Sequence, residues 1–238
     1  MNWIESQKRY IESLNEHQKN TITHFTDDGH ELLKEVVLNT IDWDKFYSSI
    51  KEGRVHFYEL IIYKIHRLYK QQGIPSTIEI IKSSTDSIPK NVYITVIKKI
   101  QDDINYIINK APRTTEQMTL YRGTLDPYFT NKKGEWVSPI TVSTSLKEDI
   151  AREFMDKVKR CCLKIINIPK GTRMLYVEPV TVIEEEQEVL LPSGSKFSVK
   201  EIEKVVELYK GIKEGNQKEN NTNYSSLPRS EISLTINL

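Results

Sequence analysis

Glu184-Glu185-Glu186-Gln187-Glu188-Val189-Leu190-Leu191-Pro192 runs four carboxylates into an apolar triplet that stops at a proline. Like charges packed side by side cost stability unless they are solvated or used. On an extended segment Glu186 and Glu188 point to the same face. Such a pair suits a site where one carboxylate stabilises a cation and the other takes a proton. Two further stretches hold polar groups that a core would not choose. Leu120-Tyr121-Arg122-Gly123 puts a guanidinium at a strand end beside a glycine that lets a ligand approach the backbone, which suits a phosphate or a carboxylate. Val142-Ser143-Thr144-Ser145-Leu146 sets three hydroxyls on a β-prone segment, fit to bond a sheet edge or to hold a neighbouring carboxylate. Taken singly, each stretch also reads as plain structure: a solvated acidic turn, a surface Arg-Gly turn, a hydroxyl-lined sheet edge.

The elements that must position these groups change character along the chain. Ile4, Ile11 and Leu14 form one helical stripe, and Leu32, Leu33, Val36 and Val37 form another after Asp27-Asp28-Gly29. Val55, Tyr58, Ile61, Ile62, Ile65, Leu68 and Tyr69 keep helical spacing up to Gly73-Ile74-Pro75, with Ser76 a cap for a short helix beyond. A further helix spans about Lys90 to Asn109 and is closed by Ala111-Pro112-Arg113. After residue 113 the pattern shortens to strand-like runs at Met118 to Arg122, Thr141 to Ser145, Leu163 to Ile168, Met174 to Val177 and Glu188 to Leu191. Ile232 to Leu238 alternates as a strand with one buried face, and the polar run of about 214–226 before it reads as a mobile loop. Helices first and strands later predict an α+β fold, with helices packed on an antiparallel or mixed sheet system.

Composition narrows the class. The chain has 238 residues, 38% hydrophobic and 28% charged, with a formal net charge of +1. That balance argues against disorder and against nucleic-acid binding through a broad basic surface. Cys161 and Cys162 are neighbours, which rarely meet disulfide geometry. His17, His24 and His30 are not spaced as metal ligands and read as surface or helix-packing residues. The first residues lack the apolar core of a signal peptide, and no run approaches membrane-spanning length. The expectation is a soluble monomer with no membrane, nucleic-acid or metal partner, working in a cytoplasm or delivered into a host cytoplasm by other means.

In order, the three polar stretches resemble the Arg / Ser-Thr-Ser / Glu-x-Glu signature of the mono-ADP-ribosyltransferases. The likeness is nearest to the arginine-modifying group that includes the actin-modifying binary toxins. Phe25-Thr26-Asp27-Asp28-Gly29 resembles that family's early aromatic-Thr-x-x-Gly element, and Pro112 to Gly123, Ala151 to Phe154, Ile168 to Gly171 and Glu188 to Phe197 also follow its pattern. Extra helical sequence at about 40–88 and the polar loop before the last strand depart from it. The resemblance implies one ADP-ribosyltransferase-like domain over 1–238. Its helical lobe (1–113) would pack on a two-sheet β core (114–238).

It further implies a toxin or effector acting as a glycosyltransferase, with NAD as co-substrate and an arginine of a protein as acceptor. Arg122 would bind an NAD phosphate, the Gly123 backbone would hold the nicotinamide amide, and Phe154 would pack on the nicotinamide ring. Ser143 would position Glu188, with Thr144 and Ser145 shaping the strand edge. Glu188 would stabilise the positive charge that develops on the ribose, and Glu186 would orient and help deprotonate the incoming guanidinium. In the family, Glu two before the catalytic Glu goes with arginine acceptors and Gln there with asparagine or glutamine. Val189-Leu190-Leu191-Pro192 sets the register, so Glu186 and not Gln187 holds the deciding place. Lys157 is a weaker candidate for a phosphate contact, and Phe25 a candidate for touching the cofactor or packing in the core. The alternatives are an NAD glycohydrolase, with water as acceptor, and a non-catalytic protein-binding module on the same fold. The complete set Arg122, Ser143, Glu186 and Glu188 argues against the second.

Overall fold

The computed structural model describes residues 2–54, 57–73, 88–124, 134–157, 162–181, 185–200 and 230–237. Helix α1 (Trp3–Ser13) starts at Asn2, whose side chain accepts from the Glu5 amide, and α2 (Glu16–His24) starts at a reciprocal Asn15–Gln18 capping box. A π turn (Phe25–Gly29) carries α2 into α3 (His30–Val37) without a break. Then come α4 (Trp43–Lys51), α5 (Tyr58–Gln71) and α6 (Lys90–Lys110), whose Ile97, Ile100, Ile104 and Ile108 form a fully buried stripe. Helices α4 and α5 fall in the extra segment expected at about 40–88. Val55, Ser76, Cys161, Glu184 and the expected loop at about 214–226 lie outside the described residues.

The strands are β1 (Met118–Thr124), β2 (Glu135–Val137), β3 (Val142–Ser145), β4 (Cys162–Ile168), β5 (Leu175–Tyr176), β6 (Glu188–Leu191), β7 (Lys196–Lys200) and β8 (Ser230–Asn237), with α7 (Glu148–Lys157) between β3 and β4. They form one mixed sheet in the order β2-β7-β8-β4-β1-β3-β6-β5, in which only β4 and β8 run parallel. The α+β class is as expected, but the two-sheet core is not: the strands are continuous by hydrogen bonding. The reason is local, since the halves β2-β7-β8-β4-β1 and β3-β6-β5 meet through the single pair Tyr121↔Ser145.

Side-chain alternation shows how the smaller half is covered. Val189 and Leu191 enter a cluster with Leu120, Ile166, Phe197 and Ile236 of the larger half, whereas Leu190 enters the helical core. Met174 and Tyr176 likewise join the first cluster, and Leu175 and Val177 the second. Strand β6 is therefore buried on both faces, which is why it reads as an unbroken apolar run. Gln7 clamps α1 to this region: its amide donates to Pro112 O (2.8 Å) and Met174 O (3.1 Å) and accepts from the Tyr176 amide (3.2 Å).

Candidate active site

Strands β3 and β6 pair with Ser143 opposite Leu190, Thr144 opposite Val189 and Ser145 opposite Glu188. That register brings the hydroxyl stretch against the acidic one. Thr144 Oγ1 is buried and donates across the ladder to Val189 O at 2.7 Å. Ser145 Oγ donates to Glu186 O at 2.6 Å and accepts from the Lys147 amide at 2.9 Å, and the Leu146 amide reaches Gln187 O at 3.1 Å. Together these bonds pin the turn that leads into β6. Glu185 and Gln187 take positive φ there, 79° and 46°, a region that L side chains avoid. Glu186 is consequently not on the strand face beside Glu188, as alternation predicts, but in the bend before it. Glu185 is exposed.

Glu188 is only 6% exposed and hydrogen-bonds the Ser143 side chain. Burial pushes its carboxyl up to about 7; the Ser143 bond and Arg122 pull the other way, while the negative Glu186 adds to the rise. Arg122 Nη1 donates to Ser143 O, so the guanidinium and the carboxylate are organised around one serine.

All these groups line one cavity of about 150 Å³: Arg122, Gly123, Ser143, Thr144, Ser145, Phe154, Glu186 and Glu188. Ile150 and Ala151 of α7 complete the wall that holds Phe154, a ring left 38% exposed at the surface. The eight residues given catalytic or cofactor-binding roles by the resemblance are thus brought together. Phe25 is fully buried in the helical core and is not among the lining residues, so of its two readings packing is the one observed. The Lys157 side chain lies outside the described residues.

The helical lobe supplies a wall that sequence reasoning did not assign: Thr26, Asp27 and His30. The first two sit in the π turn, a feature frequent at functional sites. The signal that could have found them is Gly29. A Cβ there would lie 2.8 Å from the Phe57 ring and 2.9 Å from His24 O, so the turn requires glycine. Among the described residues no group of three His, Cys, Asp or Glu side chains is placed to hold a metal ion, and no helix is long and apolar enough to cross a membrane.

Residues 141–226 match the family model of the ADP-ribosyltransferase exoenzymes. That span includes Ser143, Phe154, Glu186 and Glu188 and begins after Arg122. Three solved toxin structures are similar over 99% of the chain. Plx2a, an ADP-ribosyltransferase toxin from Paenibacillus larvae, is 16% identical with a TM-score of 0.50, over 93% of its own length. The ADP-ribosyltransferase Vis from Vibrio splendidus is 13% identical with a TM-score of 0.54, over 79% of its length. BECa, an ADP-ribosylating toxin of a C. perfringens binary enterotoxin, is 12% identical with a TM-score of 0.56, over 46% of its length. The chain has the ADP-ribosyltransferase fold. No curated protein sequence matches it significantly. Within this ADP-ribosyltransferase fold the cavity lies where the narrow β1–β3 junction meets the π turn of the helical lobe.

Proposed function

We propose that this protein transfers ADP-ribose from NAD to an arginine side chain of a target protein, with release of nicotinamide. The observation that carries the proposal is the convergence of Arg122, Ser143, Glu186 and Glu188 on one cavity, with Glu188 buried and bonded to Ser143. The exoenzyme family match over residues 141–226 supports ADP-ribosyl transfer from NAD, and the toxins of similar fold support an effector acting on a foreign protein.

The residues fit the reacting end of NAD. Pockets that enclose a whole drug-sized ligand hold about 300–1,000 Å³. The cavity's 150 Å³ suits a ring and its ribose, leaving the rest of a dinucleotide outside. NAD supplies an ADP-ribosyl group on a leaving group that departs as neutral nicotinamide. Arg122, anchored on Ser143 O, offers a planar fork matched to phosphate oxygens. Phe154 gives the ring an apolar face, and Gly123, lacking a side chain, lets the carboxamide reach the backbone.

Glu188, buried and held by Ser143, offers a carboxylate to the positive charge that builds on the ribose as nicotinamide leaves. Its stabilisation therefore grows as charge develops on the ribose carbon, which lowers the barrier rather than tightening ground-state binding. Glu186, in the bend next to it, is placed to hold the incoming guanidinium and take a proton. An acceptor with a pKa above about 12 needs that help.

The test is incubation with labelled NAD and a cell lysate. Wild type should label protein, with the label removed by hydroxylamine, as an arginine linkage requires. Glu188→Ala should abolish both labelling and nicotinamide release. Glu186→Gln should lose labelling and keep release. Intact NAD cleavage by Glu188→Ala would overturn the proposal, and nicotinamide release without labelling of any candidate target would replace it with a glycohydrolase.

A further inference from the structure

The chain carries a formal net charge of only +1, yet a second pocket gathers positive charge alone. This cavity of about 370 Å³ is lined by Arg113, Arg173 and Lys196. Among the described residues no Asp or Glu lines it, and none of the three cations forms a salt bridge. It lies at the end of the strands away from the catalytic cavity. Arg113 precedes β1, which carries Arg122 near its other end, and the lining residue Pro192 follows β6, which opens at Glu188. The two cavities share no lining residue.

Arg113 and Arg173 face each other across an isolated antiparallel bridge, a placement in which like charges destabilise. They are not free to splay apart. Arg113 Nη1 donates to Gly171 O at 2.6 Å and Arg173 Nη1 donates to Ala111 O at 2.9 Å, so each guanidinium is tied to the backbone two residues before the other arginine. Thr114 stitches the same two segments. Its amide donates to Thr172 O at 2.9 Å, and its hydroxyl donates to Pro169 O at 3.0 Å and accepts from the Thr172 amide at 3.0 Å. Each guanidinium has five N–H donors and its backbone contact uses one. Two charged forks are thus held side by side with most of their donors unspent.

We propose that this pocket binds a phosphate group, carried by a soluble molecule or by a lipid headgroup. A phosphate monoester brings about −1.5 to −2 charges at neutral pH and three acceptor oxygens, which answers two guanidinium forks and an ammonium better than a single carboxylate does. The volume exceeds the roughly 300 Å³ at which ligand pockets begin, leaving room for the group that bears the phosphate. The inference stands apart from the NAD-dependent reading of the catalytic cavity.

The test is calorimetry with inorganic phosphate on wild type, Lys196→Gln and Arg113→Gln. Each substitution should weaken phosphate binding about tenfold, the loss of one charged hydrogen-bond donor. Saturating NAD should leave phosphate binding unchanged, whereas phosphate held at Arg122 would be displaced. If Arg113→Gln fails to fold, Lys196→Gln decides, since that side chain is exposed on β7. Co-sedimentation with phosphatidylcholine vesicles, with or without a phosphatidylinositol monophosphate, assigns the carrier. Retention on the phosphorylated vesicles alone, lost in Lys196→Gln, identifies a lipid headgroup; binding of free phosphate without retention identifies a soluble ligand. Phosphate binding of equal strength in wild type and variants, full displacement by NAD, or no binding of either probe would overturn the proposal.

Discussion

Ser145 donates its hydroxyl to the main-chain carbonyl of Glu186 at 2.6 Å, so the hydroxyl strand itself holds the acidic bend in place. The bond spans two stretches more than forty residues apart and acts on the backbone beside two positive-φ residues. Ser145→Ala removes it and leaves the Lys147 amide without its acceptor. The bend should relax toward unstrained φ, moving Glu186 more than Glu188, which the β3–β6 ladder still fixes. Protein labelling should fall about tenfold, the effect of roughly 1.4 kcal/mol, with nicotinamide release reduced less. Equal loss of both activities would show that Ser145 acts on the whole site.

Glu188 ties stability to pH with a definite sign. Its carboxyl titrates near 7 in the folded chain against an ordinary 4.5. Between those values the folded chain keeps a proton that the unfolded chain has released, so stability falls as pH rises through the window. A gap of that size corresponds to about 3 kcal/mol once pH exceeds 7. Glu188→Gln, neutral and nearly isosteric, should melt well above wild type at pH 8, and the two curves should converge near pH 4.5. Parallel melting temperatures across that range would contradict the burial argument.

The sequence made some of this legible because local physics decided it. Strand β6 was readable to the residue, since the acidic run and Pro192 bound an apolar stretch that is buried on both sides. The helical spacing of Val92, Val96, Ile100, Ile104 and Ile107 marked a helix from Lys90 to within a residue of its observed end. Strand β2, three residues long, is too short for any period to show, and α7 turns Ile150, Ala151 and Phe154 toward the cavity rather than a broad core. The types and order of the site residues were visible, yet the place of Glu186 was not, because alternation cannot register left-handed residues at 185 and 187. His30 was read as a surface or packing residue. It reaches the site through the docking of a helical lobe about ninety residues before Arg122, and no local pattern encodes that.

Gly29 joins the stability of the helical lobe to the cavity wall. Gly29→Ala would drive a methyl to 2.8 Å from the Phe57 ring and 2.9 Å from His24 O. The ring can turn away only into the packed core, and the carbonyl belongs to the last residue of α2, which leads straight into the π turn. Overpacking of this kind costs about 1–3 kcal/mol. The turn carries Thr26 and Asp27 into the cavity, so NAD affinity should fall together with the melting temperature. Unchanged stability would mean that α5 yields to the added methyl.

Gln7 bears on the site from the far end of the strand system. Its three hydrogen bonds saturate Pro112 O, Met174 O and the Tyr176 amide within a buried, otherwise apolar cluster. Gln7→Met keeps the volume and removes every one of those partners. Part of Pro112 O remains served by Trp3 Nε1 at 3.3 Å, so the unmatched groups are chiefly Met174 O and the Tyr176 amide. At about 1–3 kcal/mol for each buried group left without a partner, the variant should lose about 2–5 kcal/mol in denaturant unfolding. Strand β5 pairs with β6 through Tyr176↔Val189, and the next residue, Val177, donates its amide to Glu188 O at 3.0 Å. A loosened β5 should therefore reach the Glu188 carboxylate through the backbone and, if the proposed function holds, lower kcat for NAD cleavage severalfold while KM for NAD stays near the wild-type value. A variant as stable as wild type would show that α1 and β5 are held by packing alone.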